Sequence, residues 1–170
     1  METGSESVNA ACWSFSGFDD ETLRVFQTAR EEAQRLKHHA IFVEHLLIAM
    51  VKCTDLLQQN GLDANQLRSE IESQLSMGSS GVQTDKLCFG PRAKYILGLA
   101  LIEARQLGHD IVSRDHLLLA LIQDDGGTGE KLRAHGLDAD SFRIKLAKTQ
   151  EDLRKLQSEV QQTLRSIIER

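Results

Sequence analysis

The side chains of this chain that could do chemistry are its six histidines and a few carboxylates. Two histidine pairs share one spacing: His38 with His45, and His109 with His116. An acid stands just before the second histidine of each pair, Glu44 in one and Asp115 in the other. Imidazole is the commonest metal ligand and titrates near neutral pH. A zinc site, however, needs three or four converging ligands. Each spacing here crosses from one helix to the next, so structural roles are expected, one histidine at a helix end and one in a loop. Glu32 and Glu103 form another matched pair. Two carboxylates can divide acid and base work, but these are expected on a solvated surface or linked to a neighbouring arginine. The run Gly126-Gly127-Thr128-Gly129-Glu130-Lys131-Leu132 has the glycines and lysine of a phosphate loop. A glutamate separates Gly129 from Lys131, and Leu132 stands where a hydroxyl must hold magnesium. A flexible turn between helices is expected there. Neither a GxSxG motif nor a Cys–His nucleophile spacing is present. Cys12, Cys53 and Cys88 form no CxxC or zinc pattern and are expected as reduced thiols. The sequence thus assigns no catalytic residue, no cofactor and no metal, and the expectation is a protein that is not an enzyme.

These residues must be positioned by helices. The chain has 170 residues, one proline, 41% hydrophobic residues and a net charge of −5. Such a balance lacks the basic excess that nucleic acid requires. Its longest apolar stretches, Leu117 to Ile122 and Ile96 to Ile102 with Gly98 inside, fall far short of the about 18 residues of a membrane helix. Neither nucleic acid nor membrane is therefore an expected partner, and no basic N-region followed by an apolar core opens the chain.

An internal repeat organises everything else. With an offset of 71, Arg30 to His38 lies over Leu101 to His109, and Glu44 to Met50 lies over Asp115 to Leu121. The offset then becomes 75, where Asn60 to Ala64 matches His135 to Ala139. Four residues therefore separate the copies in the loop after the second helix. The sequence divides into a flexible tail (1–17), repeat 1 (18–75), a linker (76–88), repeat 2 (89–149) and a C-terminal helix (150–170).

Local signals define the helices. Asp19 can cap the first, and Phe18 can staple onto Leu23. Pro91 fits the first position of its counterpart, where a missing N–H costs nothing. Leu23, Phe26, Ala29, Ala33 and Leu36 fall at helical spacing, as do Ile96, Leu97, Ala100, Leu101, Ala104 and Leu107. Ser113 can cap a helix from Arg114 to about Gln123 that is apolar nearly all round, hence buried. Gly61 and Gly136 are each expected to follow a short helix, where left-handed C-caps are common, and Asp63 and Asp138 can cap the third long helix of each copy. Trp13 and Phe15 are candidates to dock from the tail. Neither copy can cover its own buried helix, so the two are expected to pack as one pseudo-twofold all-α domain. Leu153, Leu156, Val160, Leu164 and Ile167, with Ile168 beside it, form a stripe on an amphipathic helix. Two readings stay open: the helix folds back on its own domain, or it docks on a partner.

The run from Phe89 to Leu97, then Glu103 to His109, then Asp115 to Leu121, resembles the Clp N-terminal repeat of Hsp100 unfoldases, most closely the ClpC kind. Ala33 to His38 and Glu44 to Met50 match it more loosely. The resemblance covers about residues 18–149. It implies a double helical-repeat fold whose function is binding, receiving adaptors and substrates above an ATPase ring. In the ClpC kind an acid within a Gly-Thr-Glu-His motif recognises phosphorylated arginine. Here the acid and histidine stand at Glu44-His45 and Asp115-His116 without the Gly-Thr. Asp19 and Gly90 replace the usual threonine after the opening phenylalanine, and Asp19 adds charge unfavourable to a dianion. The chain starts at Met1 and reaches Arg170 with no ATPase module. Its expected role is therefore a stand-alone accessory, similar to the ClpT proteins of plastid Clp protease, that binds the Clp peptidase core or a Clp AAA+ chaperone. An N-domain cut from a ClpC-type unfoldase, or a decoy competing for adaptors, is the alternative. The expected compartment is the cytoplasm, or the plastid stroma for a mature plastid protein. Candidate binding residues are Asp19, Glu32, Glu44, Glu103 and Asp115, with Leu153, Leu156, Val160 and Leu164 of the stripe.

Overall fold

The structure, a computed structural model, describes residues 15–78 and 87–168. Repeat 1 holds α1 (Asp20–Arg35), α2 (Val43–Cys53), α3 (Leu56–Gln59) and α4 (Ala64–Gln74). Repeat 2 holds α5 (Pro91–Gln106), α6 (Arg114–Ile122), α7 (Gly127–Ala134) and α8 (Ala139–Ile168). The all-α class holds.

The helix ends follow the local chemistry. Asp19 accepts the Thr22 amide at 2.8 Å, and Asp63 accepts the amides of Asn65 and Gln66 at 3.0 Å each. Pro91 opens α5 behind Gly90. Asp138 accepts from Ser141 at 2.8 Å. Gly61 and Gly136 end α3 and α7 at φ +83° and +91°, where a side chain would be strained.

α2 and α6 are the middle of the molecule. Leu46 to Met50 and Leu117 to Ile122 are all fully buried. One continuous core joins both copies. The chain leading into each copy's first helix pairs with the chain leading into the other copy's second helix. Phe18 bridges Val112, and Ile41 bridges Phe89. The bonds correspond: Val112 donates to Gly17 (2.7 Å) as Ile41 does to Cys88 (2.9 Å), and Asp19 donates to Val112 (3.0 Å) as Gly90 does to Ile41 (2.9 Å). Phe26 lies among Phe18, Phe89 and Phe15 at ring separations of 5.2, 5.4 and 5.6 Å. Phe15 therefore docks; Trp13 and most of the linker lie outside the described residues.

Four expectations change. Gly127–Ala134 is a helix, not a flexible turn. Gly129 is there because a Cβ would stand 2.0 Å from the Asp124 carbonyl oxygen. The four-residue difference between the copies is accordingly one of helix length, four residues in α3 against eight in α7. The helix expected from residue 150 is the continuation of the last helix of repeat 2, unbroken over 30 residues. It does not fold back, for every described residue from 151 onward is exposed. Lastly, Cys88 is disulfide-bonded rather than a thiol, whereas Cys53 is free and exposed.

Candidate functional site

The histidine pairs fix two corresponding corners. At the start of α2, the Phe42 amide donates to His45 Nδ1 at 2.9 Å. His45 Nε2 must then carry the proton, and it donates to His38 Nδ1 at 2.8 Å. His38 Nε2–H in turn donates to the Ser76 carbonyl at 2.8 Å. At the start of α6 the same relay begins. The Ser113 amide donates to His116 Nδ1 at 2.9 Å, and His116 Nε2 meets His109 Nδ1 at 2.5 Å. Each buried histidine thus closes the return arm of a capping box that Glu or Gln ordinarily closes. Burial, and then the neighbouring histidine, pushes His45 and His116 each down to about 4. They are structural, neutral imidazoles. Among the described residues, no group of three or more His, Cys, Asp and Glu is placed to hold a metal.

Beside each corner lies a cleft. Glu44 lines one of about 350 Å³ with His38, Phe42, Leu75, Ser76 and Arg92. Asp115 lines a larger one of about 740 Å³ with Asp19 and His109. α8 supplies its outer wall through Phe142, Lys145, Leu146, Leu153 and Arg154. Burial raises the Asp115 carboxyl above its ordinary value. The pseudo-twofold explains the composition of each cleft, because an acid opening one copy's second helix meets the N-terminus of the other copy's first. Asp19 is also committed as the cap of α1.

Glu32 and Glu103 are buried, not solvated, and both are spent on internal ion pairs. Burial alone would raise Glu32, but hydrogen bonds from Lys52 and Arg35 outweigh it and hold the carboxyl below its ordinary value. Arg143 does the same for Glu103, with Gln123 donating to it at 2.7 Å. Leu153, Leu156, Val160 and Leu164 are 50–56% exposed along α8. The structure therefore brings Asp19, Asp115 and Leu153 to one cleft, leaves Glu44 at the other, and withdraws Glu32 and Glu103 from the surface. Sequence reading missed Arg143, Lys145 and Arg154 as parts of this arrangement. The signal for Arg143 was the change from Lys52 to Gln123 between copies, which leaves Glu103 in need of another cation; nothing in the sequence pointed to Lys145 or Arg154.

A family model described as the Clp repeat (R) N-terminal domain matches residues 17–135. This chain belongs to that family. It is 33% identical over 149 residues to chaperone protein ClpC1, chloroplastic, of Oryza sativa subsp. japonica, covering 84% of this chain and 16% of that protein. It is 35% identical over 123 residues to the negative regulator of genetic competence ClpC/MecB of Bacillus subtilis, covering 69% of this chain and 15% of that one. The Clp-repeat chain thus spans about one sixth of the length of these relatives. Among solved structures, the ClpD N-terminal domain of Arabidopsis thaliana superposes with a TM-score of 0.63 at 18% identity, covering 84% of this chain and 99% of that one. A ClpV N-domain in complex with a VipB peptide superposes with a TM-score of 0.66 at 16% identity, covering 82% and 92%. These two likenesses show the fold. The matched family region ends at residue 135, so the whole α8 wall of the larger cleft lies beyond it.

Proposed function

We propose that this chain is a non-catalytic binding module of the Clp proteolytic machine. It holds a partner protein in the cleft between α6 and α8 and along the exposed α8 stripe. The observation that carries this reading is the cleft itself: about 740 Å³, walled by a helix that continues past the domain with its apolar positions uncovered. An uncovered apolar stripe of this kind marks a contact surface. Family membership directs the choice of partner to the Clp peptidase core, a Clp AAA+ chaperone, or their adaptors. The chloroplast relatives make the plastid stroma a fitting compartment, with the cytoplasm as the bacterial equivalent.

Coverage of only about one sixth of the relatives favours a second reading. In it, this is the substrate- or adaptor-binding N-domain of a ClpC-type unfoldase, or a free N-domain that competes for the same adaptors. Affinity capture from a native extract separates the readings. The full chain is compared with the double variant Leu156→Glu/Leu164→Glu and with Asp115→Arg. Recovery of Clp core or chaperone subunits, lost in the stripe variant, is the expected result. Recovery of adaptors and substrates alone, insensitive to the stripe, would establish the second reading. Recovery of neither class would overturn both.

A further inference from the structure

The two histidine relays differ at their last step. In repeat 1, His38 Nε2–H reaches the Ser76 carbonyl. In repeat 2, His116 donates to His109 Nδ1, so His109 Nε2 must likewise bear a proton. That nitrogen is buried and, among the described residues, has no hydrogen-bond partner. A buried donor left unpaired costs more than a hydrogen bond gains.

The chain path explains the difference. After Gln74, α4 ends and Leu75 turns extended, at φ −86° and ψ 113°, which carries Ser76 over His38. With the repeat offset of 75, Gln74, Leu75 and Ser76 correspond to Thr149, Gln150 and Glu151. There α8 continues without a break. Its carbonyls accept from amides four residues on, so none turns to His109. The repeat-1 cleft is partly filled by its own chain, Gln74 to Ser76, and measures about 350 Å³; the repeat-2 cleft measures about 740 Å³.

We infer that the repeat-2 cleft takes an extended peptide segment of a partner protein, with one main-chain carbonyl accepting the His109 Nε2–H as Ser76 does from His38. The inference rests on the binding reading above and names its ligand. An uncharged aliphatic side chain of the segment would lie on Leu56, Ile111, Phe142 and Leu146, which line the same cleft. The charges around it, Asp19, Asp110 and Asp115 against Lys145 and Arg154, leave no strong excess of either sign. Arg154 stands at the His109 corner, 3.5 Å from the Gly108 carbonyl. It is exposed, and among the described residues that long contact is its one hydrogen bond, so it can rotate away and let the peptide reach the nitrogen.

The test screens the full chain against an immobilised library of unmodified, N-acetylated, C-amidated random heptapeptides. Peptides that bind are then titrated into wild type, His109→Phe and His109→Gln, each first shown to melt cooperatively. The expected result is binding weakened about tenfold in His109→Phe and largely restored by His109→Gln, whose amide can donate. In ¹⁵N-labelled wild type, the His109 Nε2 signal should shift on peptide addition while His38 Nε2 stays fixed, a readout that survives any folding defect in the variants. Binding equal in all three proteins with an unmoved His109 signal would overturn the inference. So would the absence of any binding peptide. If Clp subunits are still captured from extract in either case, only the inference fails; if capture also fails, the functional reading falls with it.

Discussion

Arg143 of α8 grips Glu103 of α5 with two parallel bonds, Nε to Oε2 at 2.9 Å and Nη2 to Oε1 at 2.7 Å. Glu103 is 2% exposed. Its counterpart Glu32 receives its cations from Lys52 and Arg35 instead. The position equivalent to Lys52 is the neutral Gln123, and the position equivalent to Arg143 is Arg68, which pairs with Glu72. The buried acid is thus kept in both copies while the cation moves from the second helix to the last. In repeat 2 that move fastens the root of α8 to the domain.

Arg143→Ala should therefore be costly, because it leaves a buried carboxylate without its charge partner. A loss of about 3 kcal/mol is expected in urea unfolding. Adding Gln123→Lys restores the repeat-1 arrangement and should recover much of the loss. No difference between the single and double variants would refute the exchange of roles.

Acid should destabilise the fold through His45 and His116. Each has a folded value of about 4 against an ordinary value of 6.5. Between these limits the unfolded chain binds more protons than the folded one, so stability rises with pH. The contribution is complete above about pH 6.5 and is lost as pH falls toward 4, at up to about 3 kcal/mol per histidine. A urea midpoint that does not move between pH 7 and pH 4.5 would contradict this.

Leu47 and Leu118 are repeat equivalents, and both are fully buried. Truncating either to alanine should cost about 2–5 kcal/mol. One shared core predicts a single cooperative transition for both variants. Two separable transitions in calorimetry would mean that the repeats fold apart.

Two glycines should answer oppositely to alanine. Gly98 lies mid-helix in α5 with nothing within 4 Å of an added Cβ, so Gly98→Ala should stabilise by about 0.5–1 kcal/mol. At Gly129 an added Cβ meets the Asp124 carbonyl oxygen, so Gly129→Ala should destabilise by about 1–3 kcal/mol. Thermal melts of both variants decide it.

The repeat, the caps and the buried middle helices were legible because each depends on local residue type and period. Asp19, Asp63, Asp138 and Pro91 sit where their own chemistry places them. Leu117 to Ile122, apolar nearly all round, could only be interior. The features hidden from the sequence depend on contacts between distant segments. Glu32 and Glu103 look like surface acids until the positions of Lys52 and Arg143 are known. Gly129 looks like part of a mobile turn until Asp124 is found against it. A stripe shows that a helix is amphipathic but not what lies opposite, so the free course of α8 could not be read from Leu153 to Leu164. The candidate corners were visible only in part. Asp115 and Asp19 stood out by their charge, whereas the His109 nitrogen, without a hydrogen-bond partner among the described residues, emerges only in the folded chain.

The unbroken course of α8 also makes it a ruler. From Arg154, which lines the cleft, to Ile167 the helix rises roughly 20 Å at 1.5 Å per residue. A protein gripped near Ile167 would stand that far from the cleft at the root of the same rod. Two ligands could be held at once without collision, at a separation fixed by the helix rather than by a floppy tether.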